Sequence, residues 1–406
     1  MTNLVEAAKI KGVVQHYAWG GFNFIPELIA AQNESNEPFA EYWMGAHKNA
    51  PATLVNVEPA LALNELIAEN PSFYLGEAVA KRFDNQLPFL FKVLDVKDML
   101  SIQVHPTKEE AVKGFARENQ EGIPANAPHR NYKDDNHKPE IMVAVTEFYL
   151  LHGFKPVEEL KAVLNNTEEF KAFAPIFGEG DYKALYAHIM QLPQAEVDQI
   201  LAPLVARISE DYQEGNLEKT SSDFWAAKTV EGQENIAEQL DRGIFSIYFF
   251  NVVKVNKGDA VFQDAGVPHA YLEGVNMELM ANSDNVLRGG LTPKHIDVPE
   301  LLKHTKFEAT IPNILKGDDR SAAEKVYTSP APDFEVSRVE VSTDQKFQAP
   351  KGHSFDILVM LEGQTVKVTT PQTSYTLSKG ETGMVSANID YTIEGEGLLF
   401  RATVPQ

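Results

Sequence analysis

The sequence predicts a mainly β protein of jelly-roll barrels or sandwiches, interrupted by one all-helical insertion. Three observations predict it. Strand-like runs bounded by turn signals fill both ends of the 406-residue chain without βαβ alternation. Sustained helical periodicity is confined to roughly residues 155 to 235. A segment after that helical region is echoed near the C-terminus, as though one β unit occurs twice.

In chain order, Gly12–Tyr17, Ala52–Val57, Leu87–Val93 and Met99–His105 read as strands, and residues 65 to 83 as helical. Ile141–Leu151 is a long apolar run that follows the charged "RNYKDDNHK". Val157, Leu160 and Leu164 then fall at helical spacing, as do Val197, Leu201, Leu204 and Ile208. Pro203 is expected to kink or split that second helix. From Ile244, "IFSIYFFNVVKV" reads as a return to strands, followed by "KGDAVFQDAGVPHAYLEG". The last block, 330 to 406, is strand-like, with turns at Glu362–Gly363, Lys379–Gly380 and Glu394–Gly395. "KGETGMVSANIDYTIEG" from Lys379 repeats the Lys-Gly-acid turn, the strand and the closing Glu-Gly of the earlier segment, placing Tyr391 opposite His269. The expected units are 1–154 together with 240–325, 155–239, and 326–406.

Composition excludes several functions. With 43% apolar and 23% charged residues, the chain has the balance of a globular protein. No run of about 18 apolar residues and no basic-then-apolar start is present, so neither a membrane span nor a secretory signal is expected. The absence of cysteine rules out disulfides, thiol nucleophiles and thiolate metal sites, and suits a reducing cytoplasm. Lys and Arg number 36 against 58 Asp and Glu, a formal charge of −22. Such a field repels nucleic acid and anionic membrane. A small anionic substrate then requires a local cluster of cations.

The chemistry concentrates in "SIQVH" and "HKPE". On a strand, Ser101, Gln103 and His105 share one face while Ile102 and Val104 pack behind. Together with Glu140 and His269, Gln103 and His105 offer two imidazoles, a carboxylate and an amide oxygen. That set suits Zn²⁺, with Mn²⁺, Co²⁺ or Fe²⁺ as competitors. Taken singly, a strand histidine is more often a hydrogen-bonded structural residue; the combination carries the expectation. Lys138 shares the face of Glu140 if the segment is extended, and a neighbouring metal cation would lower its pKa. "MELMANSDNVLRGGLTPKH" adds Glu278, Asp284, Asn285 and Arg288, which also read as ordinary loop residues.

These stretches resemble the type I mannose-6-phosphate isomerases (phosphomannose isomerases), zinc enzymes of the cupin superfamily. The resemblance lies in "YAWGG" at 17–21, "EYWMGAH" at 41–47, "LSIQVHPT" at 100–107, "DDNHKPEI" at 134–141, "GVPHAYLEG" at 266–274 and "MANSDNVLRGGLTPKHID" at 280–297. It implies cupin-like barrels in the catalytic unit and the C-terminal unit. It also implies one zinc per chain on Gln103, His105, Glu140 and His269, a functional arginine at Arg288, and the motif lysine at Lys138. Substrate phosphate falls to Lys92 and Ser101, and acidic active-site positions to Glu278 and Asp284. The implied reaction interconverts mannose 6-phosphate and fructose 6-phosphate through an enediol, feeding mannose into glycolysis and supplying GDP-mannose synthesis. The expected partner is therefore a phosphosugar, with no nucleic acid and no membrane, bound by a cytoplasmic monomer. Gly289 departs from the family pattern, where many relatives carry Ala. The competing readings are a metal cupin of other chemistry, such as an oxygenase, and a non-catalytic sugar-phosphate-binding regulator.

Overall fold

The computed structural model describes residues 4–56, 59–233 and 236–405. Val57, at the end of the expected Ala52–Val57 strand, lies outside them. Two ten-stranded sheets carry the fold, and among the described residues neither strand order closes on itself. The first is organised around the long strand His269–Ala281, flanked by Phe89–Val96 over Gly274–Ala281 and by Glu140–Ala144 over Asn276–Met280. At its start, the same strand pairs with Ile102–Val104 and Phe148–Phe154. The second sheet runs through Glu335–Val341, Thr392–Thr403 and Asp356–Thr369. The chain's first strand, Ala7–Lys11, joins this second sheet by pairing with Thr382–Val385.

Strand alternation decides what each face does. Phe89, Phe91, Val93, Ile141, Val143, Val275, Met277 and Leu279 point one way, into a core shared with Val336, Ile357, Val359 and Phe400 of the second sheet. The intervening positions, among them Lys92, Glu140 and Glu278, therefore project to the opposite face.

Between the strands ending at Phe154 and beginning at Phe250, the regular elements among the described residues are helices, joined by turns and irregular segments. Leu160, Leu164, Leu185, Tyr186, Val197, Leu201 and Leu204 pack with Ile102, Val104, Tyr149, Leu151 and Leu287 of the first sheet. The helices thus lie against the backs of the strands that carry Gln103 and Arg288.

Local readings change in four places. Gly243–Phe249 is a helix, overturning the strand reading from Ile244, and the strand starts only at Phe250. All seven helical residues are buried, and a helix apolar all round gives no 3.6-residue signal. Residues 65 to 83 divide into Leu63–Glu69, Pro71–Leu75 and Glu77–Arg82, because Asn70-Pro71 and Gly76 (φ +85°) interrupt the chain. The run at 141–151 is two strands, Glu140–Ala144 and Phe148–Phe154. Pro203 does not split its helix, Gln194–Gln213.

The internal echo is structural. Strands Ala260–Gln263 and Thr382–Val385 occupy the same positions of the gapless alignment, and His269–Ala281 and Thr392–Thr403 nearly so. The opening glycines Gly258 and Gly380 have φ of +86° and +81°. No helix of the described residues is long and apolar enough to cross a membrane.

Candidate metal centre

Ile102 and Val104 are fully buried under the helices, which forces Gln103 to the other face, with His105 just beyond the strand end. Pro106 then stops the strand, and the Thr107 hydroxyl caps the helix Lys108–Gln120 by accepting from the Glu110 amide at 3.3 Å. Register brings the other donors over: His269 stands opposite Gln103, and Glu140 opposite Met280 further along the same long strand. His105 Nε2 lies 3.4 Å from one Glu140 carboxylate oxygen, and His269 Nε2 lies 3.3 Å from the other. Donor atoms of His105, Glu140 and His269 all fall within 4.8 Å of one another.

Both imidazoles are oriented from behind. His105 Nδ1 is 3.0 Å from the Asn285 carbonyl, and His269 Nδ1 is 2.9 Å from the Val267 carbonyl. With each Nδ1–H donated outward, the Nε2 lone pairs point inward, as metal-ligating histidines are usually held. Burial pushes the His105 pKa down to about 4, with Glu140 opposing, so the ring is neutral at pH 7. Burial alone would raise the Glu140 pKa, but the Lys138 cation beside it outweighs burial and keeps the carboxylate ionised. Gln103 Oε1, His105 Nε2 and His269 Nε2 are buried without any hydrogen-bond partner. Three unsatisfied lone pairs beside one carboxylate cost several kcal/mol unless a cation fills the space.

A 60 Å³ cavity adjoins these donors, lined among others by Glu41, Lys92, Gln103, Lys138, Glu140, Tyr271 and Glu278. Lys138 Nζ is 3.2 Å from Glu140 Oε1. Lys92 Nζ sits 2.9 Å from Glu278 and 3.3 Å from Glu41, against the Trp43 ring. Burial would lower its pKa, but those two carboxylates overcome burial and lift it above the ordinary ammonium range. Lys92 is therefore a fixed cation and not a base. Burial raises the Glu278 pKa, Lys92 opposes, and Glu140 and Glu41 raise it further.

Known proteins match this chain closely. Residues 7–157 match the family described as phosphomannose isomerase type I, catalytic domain, and residues 323–404 match the mannose-6-phosphate isomerase cupin domain. The mannose-6-phosphate isomerase of Escherichia coli strain K12 is 40% identical over 400 residues, covering 97% of this chain and 98% of the relative. The chain belongs to the type I mannose-6-phosphate isomerase family. The human mannose-6-phosphate isomerase is 35% identical, with 96% of each chain covered. A crystal structure of the Salmonella typhimurium mannose 6-phosphate isomerase, bound to fructose 6-phosphate and zinc, superposes with a TM-score of 0.88. That match has 35% identity and covers 99% of this chain and 100% of the other.

The remaining residues expected at a phosphomannose isomerase site divide into two groups. Arg288 stands opposite Gln103 in the neighbouring strand, half-buried, and burial lowers its pKa. Ser101 immediately precedes the Gln103 strand. Asp284 does not line the small cavity; it opens on a 790 Å³ cleft and pairs with His47 at 3.5 Å. Sequence reasoning missed Glu41, Trp43, His47 and Tyr271. Glu41 with Trp43, and Tyr271 with His269, have the same alternate spacing that singled out Gln103 and His105, so the signal was available. The Tyr271 hydroxyl is buried without a partner, and burial with Glu278 and Glu140 raises its pKa well above the usual phenol value.

Proposed function

We propose that Gln103, His105, Glu140 and His269 hold one zinc ion in a site that interconverts mannose 6-phosphate and fructose 6-phosphate. The observation that carries this reading is the pair of buried, unpaired imidazole nitrogens meeting an ionised carboxylate, with the unpaired Gln103 oxygen buried on a residue that lines the adjoining cavity. With no cysteine in the chain, this nitrogen and oxygen set suits zinc. Bound zinc supplies Lewis-acid polarisation of the sugar oxygens, without which the proton next to the carbonyl is too weakly acidic at neutral pH.

The protein's own groups do the rest. The reaction moves a proton between C2 and C1 through an enediol. Lys138 is the first choice for that transfer, because its amine nitrogen lines the cavity beside Glu140. Glu278 rivals it as a cavity carboxyl with a raised pKa. Asp284 is the more distant rival, paired to His47 on the outer cleft. Arg288 stays protonated and holds an anion rather than abstracting a proton. Ser101 and Arg288 take the substrate phosphate, with Lys92, which lines the small cavity beside Glu41 and Glu278, as the third candidate. Anchoring the phosphate holds C1 and C2 in register with the proton-transfer group. A protein of charge −22 thereby accepts an anionic sugar through local cations.

The same reading divides the chain into a cupin-like catalytic unit of 1–154 with 240–325, a helical insertion of 155–239, and a cupin-like unit of 326–406. Residues 1–3, 57, 58, 234, 235 and 406 within those ranges lie outside the described ones. The long strand His269–Ala281, which pairs with Ile102–Val104 and Phe148–Phe154 at its start and with Phe89–Val96 and Glu140–Ala144 further along, supports a jelly-roll wrap of the first sheet. The expected monomer is kept as part of this proposal, and the lack of cysteine supports a cytoplasmic location. Elemental analysis alongside mannose 6-phosphate turnover tests the reading. Chelation should abolish activity and zinc should restore it; turnover that survives complete metal removal overturns the assignment.

A further inference from the structure

Arg288 is held in place by more than its own strand. The pairing of Leu287–Gly290 with Ile102–Val104 slips between Arg288 and Gly290, so Gly289 is the extra residue of a β-bulge. Bulges re-aim the side chains beside them. Two residues outside the site fix this one. The Asp241 carboxylate accepts three backbone N–H groups at once: Oδ1 from Gly243 and Leu291, each at 2.7 Å, and Oδ2 from Thr292 at 2.8 Å. It thereby ties the turn after Gly290 to the helix Gly243–Phe249. Contact there is backbone on backbone, since a Cβ on Gly290 would stand 2.5 Å from the Gly243 Cα. On the bulge itself, a Cβ on Gly289 would stand 2.8 Å from the Tyr186 hydroxyl oxygen and 3.0 Å from Ile102 Cγ2. Tyr186 cannot easily retreat. It is fully buried and packed against the rings of Phe154, Phe250 and Phe307.

We propose that Asp241 and Tyr186 are positioning residues that set the Gly289 bulge and so aim the Arg288 guanidinium at the substrate. Neither touches the metal donors or the small cavity. Their contribution passes through Arg288 alone, and the inference rests on the reading of Arg288 as a substrate-holding group. The helical middle of the chain then has a stated role in the reaction: it supplies the surface against which the arginine strand is set.

A double-mutant cycle on the zinc-loaded enzyme tests this. Asp241→Asn keeps the shape but turns an amide NH₂ toward one of the backbone donors. It should lower kcat/KM for mannose 6-phosphate by about ten- to a hundredfold, with zinc content and circular dichroism unchanged. In an Arg288→Ala background, the same change should cost less than about twofold, because its target is gone. A full additional loss in that background overturns the inference, as does an unchanged kcat/KM in Asp241→Asn. Should Asp241→Asn fail to fold, the bulge decides. Gly289→Ala should lower kcat/KM, and Tyr186→Phe added to it should restore most of the loss by removing the obstructing oxygen. Absence of that rescue overturns the proposal. If Arg288→Ala by itself leaves turnover intact, the reading of Arg288 fails first, and the positioning role goes with it.

Discussion

The chain carries two β units of one design, and each buries a polar cluster in its interior. In the first, His269 follows the turn and strand that begin at Lys257; in the second, Tyr391 follows those that begin at Lys379. The Tyr391 hydroxyl donates to Asp356 at 2.7 Å, and Arg401 Nε donates to the same carboxylate oxygen at 2.9 Å. Arg401 also reaches Glu324 at 3.2 Å, and Ser337 donates to Glu324 at 2.7 Å. Here a guanidinium supplies the positive charge internally, and most donors and acceptors are matched, although Asp356 Oδ1 has no partner. In the first unit Lys138 also pairs with Glu140, at 3.2 Å, yet Gln103 Oε1, His105 Nε2 and His269 Nε2 are left without a partner. A buried polar cluster is therefore not evidence of a ligand site by itself. What separates the two clusters is whether the lone pairs are already spent.

The sharpest way to break this comparison is to exchange the fates of the two aligned positions. His269→Ala should lose zinc and turnover together. The loss should exceed the roughly 10- to 100-fold that removal of a ligand's outer hydrogen-bond partner costs. Tyr391→Phe should leave zinc content and turnover where they were; a matching loss would mean the second cluster is also part of the site. Next in size, Lys138→Met should cut kcat by about 10²- to 10⁴-fold while the metal stays bound. Elemental analysis beside steady-state kinetics checks this, and intact turnover would remove Lys138 as the proton-transfer group.

Arg401→Met probes the other unit, where the loss should appear in stability. It leaves Asp356 buried without its guanidinium and Glu324 with Arg320 as its remaining cation, at a cost of about 3–5 kcal/mol in denaturant unfolding, with turnover per folded molecule unchanged. The smallest effect is on pH. Burial holds His105 and His152 at about 4, well under the usual histidine value. The unfolded chain takes up these protons first, so their contribution is complete above about pH 6.5 and fades as pH falls toward 4. Metal-free protein should lose up to about 1.4 kcal/mol per pH unit per histidine in that window. His152→Gln should flatten the profile by one proton's worth; an unchanged slope would show that His152 takes up no extra proton on unfolding.

Strand periodicity placed Gln103 correctly because Ile102 and Val104 leave it no other face. The same period could have found Glu41 and Trp43 on one strand. It could not show that Lys92 would be spent on Glu41 and Glu278, because those three residues meet only across two strand pairings. Gly243–Phe249 was misread for a related reason: a fully buried segment loses the polar positions by which helix and strand are told apart.

By itself, the sequence determined the donor types, the alternation that relates Gln103 to His105, the repeated β unit, and the negative overall charge. These follow from side-chain chemistry and from periods of two or 3.6 residues, which act over short distances along the chain. Tertiary structure alone decided which lone pairs stay unmatched, which lysine is locked between carboxylates, and how the helical segment sets the Arg288 strand. Those outcomes depend on which groups from distant parts of the chain share one buried volume, and no local pattern records that.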